Sequence, residues 1–158
     1  MILAGTGHRP EKTGGYSDVS RKILYEVAKN ALIESKPEKI ISGMALGWDQ
    51  ALAEAAIDLG IPFIAAIPFV NHGNNWPSKS RMHNADLLAK ASRCEYICQA
   101  FSMESYQKRN EWMVDQSDGL IAFWNGDRTG GTWNCLEYAK KVNKPVVHNC
   151  YDAWVKYR

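Results

Sequence analysis

Long apolar runs are missing from this sequence. No stretch approaches the roughly 18–20 residues that a membrane-spanning helix needs, and Met1-Ile2-Leu3-Ala4-Gly5 has neither the charged start nor the long core of a signal peptide. A cytoplasmic location with no membrane partner is therefore expected. Charge of one sign is not in excess either: 19 Lys and Arg stand against 17 Asp and Glu, a net charge of +2. Nothing in that balance calls for a phosphate backbone, which argues against nucleic acid as the main partner. Cysteine is sparse, with only Cys94, Cys98, Cys135 and Cys150, and a cytoplasmic protein keeps such thiols reduced. Neither Cys94-x3-Cys98 nor His148-x-Cys150 has the spacing of a structural zinc site, so buried thiols are expected and no metal or cofactor. Internal repeats, low-complexity segments and long linkers are absent.

What is present is ordinary globular chain. At 158 residues, with 46% hydrophobic and 23% charged residues, the length suits one domain, residues 1–158, whose core needs no staples. Short apolar runs alternate with longer helical patterns throughout. Strands are expected at Met1–Gly5, Lys39–Ser42, Ile61–Pro68, Cys94–Gln99, Gly119–Trp124 and Lys144–His148. Helices are expected from Ser17 or Asp18 to Ser35, Trp48 to Leu59, Ser78 to Ser92, Ser102 to Ser117 and Thr132 to Val142. The third strand is apolar throughout, as a strand covered on both faces must be. Strand–helix alternation predicts right-handed crossovers and an α/β, Rossmann-like three-layer sandwich with a mainly parallel sheet of five to six strands. Ligands of such sheets sit at the carboxyl ends of the strands, so the loops that follow them are where function is sought.

Three of those loops carry chemistry. The first is Gly5-Thr6-Gly7-His8-Arg9-Pro10, in which glycines allow close backbone approach and Arg9 offers a planar fork for phosphate or carboxylate. Pro10 stands where a dinucleotide fingerprint would have its third glycine, so that motif is excluded. In the second, Ser42-Gly43-Met44-Ala45-Leu46-Gly47-Trp48-Asp49, glycines lead from a strand into the positive end of a helix, an anion-binding arrangement without the Lys-Ser/Thr ending of a P-loop. Asp49 in the first helical turn also complements the helix dipole. The third runs from Asn125 through Gly130 and Gly131 to Thr132, again at a helix start. Two glycine-rich helix ends at one sheet edge suit the phosphate and sugar of one nucleotide. Arg109 is a further candidate phosphate contact. Trp76, Trp112, Trp124 and Trp133 are either core or base-stacking residues.

The motifs Ser42-Gly-x-Ala45-x-Gly47-x-Asp49 and Gly130-Gly131-Thr132 resemble the SLOG superfamily, Rossmann-like proteins related to the DNA-processing protein Smf and the LOG phosphoribohydrolases. The opening Gly7-His8-Arg9-Pro10 is similar to small phage- or prophage-encoded members of that group. The resemblance spans Gly5 to about Pro145 and implies a nucleotide or nucleotide-derived small-molecule ligand. The catalytic relatives use a Gly-Thr-x-x-Glu pattern whose carboxylate acts at the glycosidic carbon. Laid on Gly131-Thr132, it places Cys135 where that Glu would stand, and Glu137 lies about 200° further round the helix. Counting seven residues on from Gly130 reaches Glu137 instead. Glu111 and Asp115, four residues apart on one helix face, are the other candidate carboxylates.

The expected function is thus binding of a nucleotide-type ligand through Gly5, Thr6, Gly7, His8, Arg9, Ser42, Gly43, Ala45, Gly47, Asp49, Arg109, Asn125, Gly130, Gly131 and Thr132. The alternative is an N-glycosidase, phosphoribohydrolase or deoxyribosyltransferase-like enzyme acting on nucleoside monophosphates through Glu137, Glu111 or Asp115. A homodimer is the expected assembly, since such folds commonly pair.

Overall fold

The computed structural model describes all 158 residues. Six strands, β1 (Ile2–Gly7), β2 (Lys39–Ser42), β3 (Phe63–Phe69), β4 (Arg93–Cys98), β5 (Gly119–Phe123) and β6 (Val146–Asn149), form one sheet in the order β4-β3-β2-β1-β5-β6. Every neighbouring pair is parallel. Between them run α1 (Asp18–Ser35), α2 (Trp48–Asp58), α3 (Ser78–Ala89), α4 (Ser105–Asp115) and α5 (Gly130–Lys141), with α6 (Tyr151–Tyr157) closing the chain. This is the expected Rossmann-like α/β architecture. Only the short α6 and a 3-10 turn at Pro10–Lys12 lie outside the sequence-based elements.

The pleat divides the core in two, because successive strand side chains point to opposite faces. On one face Leu3, Ile40 and Ile121 pack with α1, α2 and α6 in a cluster of 22 buried residues. On the other, Ala4, Ile41 and Leu120 meet Met113 and Val114 of α4 and Cys135 and Ala139 of α5 in a cluster of 9. Ser17 caps α1 by accepting the Ser20 N–H at 3.1 Å, and Lys36 ends it with a left-handed φ of 48°. No helix is long and apolar enough to cross a membrane.

Two glycines of the first motif serve this packing. A Cβ on Gly5 would lie 2.6 Å from Leu52 Cδ2, and one on Gly7 2.5 Å from the Trp48 ring. The absence of side chains on β1 is what lets α2 lie flush against it. Trp48 is fully buried there, and its indole N–H reaches the Ile121 carbonyl at 3.3 Å.

The chain builds β1 to β4 outward in one direction and then crosses back to lay β5 on the other side of β1. The loops leaving β1 and β5 therefore part company, and a crevice opens between them at the carboxyl ends.

Candidate functional site

A cavity of about 440 Å³ occupies that crevice, within the range of small-ligand sites. Its floor is Gly5, Thr6 and Gly7 of β1. One wall is the start of α5, from Thr129 to Thr132, and the other is Ala45 and Asp49 of the β2–α2 segment. One face of α4, Tyr106, Arg109, Asn110 and Met113, closes the far side at helical spacing. Arg9, Glu11 and Lys12 form the rim.

The α5 wall is built for close approach. Its N-cap residue, Thr129, makes no side-chain cap, so the first N–H groups of the helix have no side-chain acceptor. Gly130 needs glycine for its φ of +89°, but Gly131 does not, and a Cβ at either position would meet nothing within 4 Å. These positions contrast with Gly47, where a φ of +95° and a Cβ 2.5 Å from the His8 carbonyl demand glycine for the fold itself.

His8 is a joint between the two loops. It is buried, its Nε2 accepts the Asn125 N–H at 3.1 Å, and its Nδ1 lies 3.4 Å from Thr132 Oγ1. That network assigns the proton of the neutral ring to Nδ1. Burial holds its pKa below the ordinary 6.5. Next to it the loop from Asn125 to Thr129 braces itself: Asp127 accepts Lys12 Nζ at 2.8 Å and the hydroxyl of Thr129 at 2.7 Å, which pull its carboxyl to about 2.

The opposite wall holds two buried charges. Arg109 Nη1 donates to the carbonyls of Gly43 at 2.5 Å and Ala66 at 3.3 Å, pinning α4 to the residue after β2 and to the middle of β3. Its Nε goes to Asn110, which leaves Nη2 without a protein acceptor. Asp49 Oδ2 accepts the Ala45 N–H at 3.3 Å, while Oδ1, fully buried, has no partner at all. Burial raises the Asp49 pKa and lowers that of Arg109, and the opposite charge of each restrains the other's shift. The segment between them is held under constraint. Met44 is buried with a left-handed φ of 61°, and Ser42 Oγ secures the turn by accepting the Met44 N–H and donating to the Asp49 carbonyl at 2.8 Å.

Of the sequence-derived binding residues, eleven line the cavity: Gly5, Thr6, Gly7, His8, Arg9, Ala45, Asp49, Arg109, Gly130, Gly131 and Thr132. Ser42, Gly43, Gly47 and Asn125 stand behind them as supports of the loops. The three candidate carboxylates do not line it. Glu137 is exposed beside Lys141 and Tyr138 on the outer side of α5, Asp115 accepts the Tyr138 hydroxyl at 2.8 Å, and Glu111 accepts Gln107 Nε2 at 3.1 Å. Cys135 lies in the core beneath the cavity with its thiol pushed up to about 11 by burial. Tyr106, Asn110, Met113, Glu11, Lys12 and Thr129 were missed by sequence reasoning. The i, i+3, i+4, i+7 spacing of the α4 residues was the available signal.

The model of the YspA SLOG family matches residues 3–152. The chain belongs to this family. Among curated proteins, it is 30% identical over 136 residues to the SPbeta prophage-derived protein YoqJ of Bacillus subtilis, covering 75% of this chain and 79% of that one. It is also 30% identical over 152 residues to the UPF0398 protein BH1768 of Halalkalibacterium halodurans, covering 89% and 80%. DNA processing protein A from Helicobacter pylori, described as binding single-stranded DNA, superposes with a TM-score of 0.63 at 20% identity, over 99% of this chain and 72% of that one. At that identity the likeness is one of fold. The SLOG resemblance of the glycine motifs and the prophage-type opening thus agree with the relatives found.

Proposed function

We propose that the cavity binds a nucleotide or nucleotide-derived ligand and that binding, rather than glycosidic cleavage, is the function of the site. The observation that carries this reading is the pairing of opposite needs across one cavity. The uncapped N-terminus of α5, with open space at Gly130 and Gly131, suits an anion that approaches the backbone. Across from it, Asp49 lines the wall, and its Oδ2, which accepts only the Ala45 N–H at 3.3 Å, is the kind of acceptor a sugar hydroxyl needs. Arg109 Nη2, Arg9 and Lys12 add positive charge between and around the two. Phosphate at one wall and ribose at the other satisfies both. Against the enzyme reading, Glu137, Glu111 and Asp115 face away from the cavity or are engaged elsewhere, and a neutral thiol at Cys135 cannot stabilise an oxocarbenium-like state.

The fold likeness to a single-stranded-DNA-binding protein does not fit the expectation, drawn from charge balance, that nucleic acid is not the main partner. The test therefore includes it. Thermal-shift measurements would use nucleoside mono- and diphosphates, cyclic dinucleotides, NAD-derived compounds and a short single-stranded oligonucleotide. A ligand at 100 times its Kd adds about 2.7 kcal/mol of stability. No shift with any of the small ligands would overturn the proposal, and a shift with the oligonucleotide alone would replace it.

A further inference from the structure

A second cavity, about 690 Å³, opens between the β3–α3 loop and the β4–α4 loop and adjoins the first through Arg9, Glu11, Ala45 and Tyr106. Its walls are aromatic. Phe69 stands edge-on to His72, Phe101 and Tyr106 at centroid distances of 5.5, 5.4 and 5.7 Å, and His72 stands edge-on to Trp76 at 5.1 Å. None of these rings is stacked face to face on another, unlike Trp124 and Trp133, which cover each other at an interplanar angle of 17°. With no ring laid flat on another, the exposed ring of Phe101 and the half-buried ring of Trp76 present accessible surface to a further planar group. Phe101 is 60% exposed although its ring belongs to the cluster. Four side-chain amides on the rim, Asn71, Asn74, Asn75 and Gln99, have no protein hydrogen-bond partner and offer both donors and acceptors.

The electrostatics separate the two cavities. Burial, with Arg109 and Arg9 nearby, holds the His72 pKa at about 4, so its ring is neutral at physiological pH. Arg9 is the one Lys or Arg among the second cavity's lining residues, and it sits at the junction with its guanidinium 5.7 Å from the Tyr106 ring, while Glu11 at the same junction is engaged by the Tyr16 hydroxyl at 2.6 Å. The glycine cradle and its cations thus suit an anion, the junction suits one more, and the aromatic groove suits an uncharged ring that carries hydrogen-bonding edges.

Building on the nucleotide-binding reading above, we propose that the ligand is a free dinucleoside phosphate or pyrophosphate. One nucleoside phosphate occupies the glycine-walled cavity, the linking phosphate lies at Arg9, and the second base enters the groove of Phe69, His72, Trp76 and Phe101. A polynucleotide needs a track of cations beyond the junction, and the groove supplies none past Arg9.

Titration calorimetry of the full chain with a nucleoside monophosphate and a dinucleoside pyrophosphate of the same base tests this. The dinucleotide is expected to bind about tenfold tighter or more, the gain typical of one base stacked on aromatic side chains. Trp76→Ala and Phe101→Ala are each expected to remove most of that gain and leave mononucleotide affinity unchanged. Phe101 is exposed enough that its variant keeps the fold if Trp76→Ala does not. A mononucleotide that binds as tightly as the dinucleotide overturns the second subsite and leaves the first reading standing, whereas binding of neither overturns both. A single-stranded decanucleotide that binds more tightly than the dinucleotide overturns the free-ligand assignment.

Discussion

Asp49 and Arg109, both buried, flank Gly43 so closely that a Cβ there would lie 2.7 Å from Arg109 Nη1 and 2.9 Å from Asp49 Oδ2, yet they form no ion pair within 4.0 Å. Glycine at position 43 is what lets two opposite charges share one wall of the cavity. Each lowers the cost of burying the other without neutralising it by direct contact. The guanidinium keeps one nitrogen, Nη2, without a protein acceptor.

That relationship predicts strong coupling. Arg109→Met leaves the Asp49 carboxylate buried without a compensating charge and should cost about 3 kcal/mol in urea unfolding. Asp49→Asn should cost less, since the Arg109 guanidinium keeps the Gly43 and Ala66 carbonyls as acceptors. The double variant should recover at least about 1 kcal/mol relative to the sum of the single ones. Strictly additive losses would show that the two charges do not interact.

The glycines divide into two classes by what they touch. Gly131→Val meets open space and an ordinary φ, so its melting temperature should stay at or near that of the native protein, while the nucleotide-induced shift disappears. Gly47→Val forces a side chain onto a φ of +95° and against the His8 carbonyl, and should destabilise the fold by at least about 2 kcal/mol before any ligand is added. Full ligand response in Gly131→Val would remove the α5 N-terminus from the site.

Acid should weaken the fold through His72. Its folded pKa of about 4 lies below the ordinary 6.5, so the unfolded chain binds the proton first as pH falls. The stability tied to the neutral ring is fully present above pH 6.5 and is lost between 6.5 and about 4, a change of about 3 kcal/mol over the window. His8, lowered in the same direction, adds to the loss. Urea midpoints at pH 7.5 and 4.5 should differ less for His72→Gln than for the native chain; an equal difference would discount this histidine.

Incubation of the native protein with nucleoside monophosphates should release no free base by chromatography, and Glu137→Gln should change nothing. Base release that Glu137→Gln abolishes would instead make the exposed carboxylate catalytic and restore the glycosidase reading.

Several features of the molecule are readable directly from local pattern. The run Phe63–Pro68 is apolar at every position because β3 is buried on both faces, and Ser17 precedes α1 because a helix start needs an acceptor. Such signals depend on neighbours in the chain, and they yielded six strands, five helices and the loops that hold the cavity. They missed α6, whose seven residues carry too few turns for a periodic signal and whose place is set by Trp154 packing edge-on to Phe123 at 5.4 Å.

Which residues share a site was decided only by tertiary structure. The strand order β4-β3-β2-β1-β5-β6 brings the loops after β1 and β5 together, although more than a hundred residues separate them, and no local pattern encodes that pairing. The same glycine letters carry different demands once the chain is folded: Gly5 and Gly7 make room for Leu52 and Trp48, while Gly131 makes room for nothing in the protein. On α4 the sequence offered Arg109, Glu111 and Asp115 alike. Helix geometry turned Arg109 with Tyr106 and Met113 into the cavity and left Asp115 to Tyr138 on the outer surface, because a side chain's direction follows from how its helix is packed and not from its type.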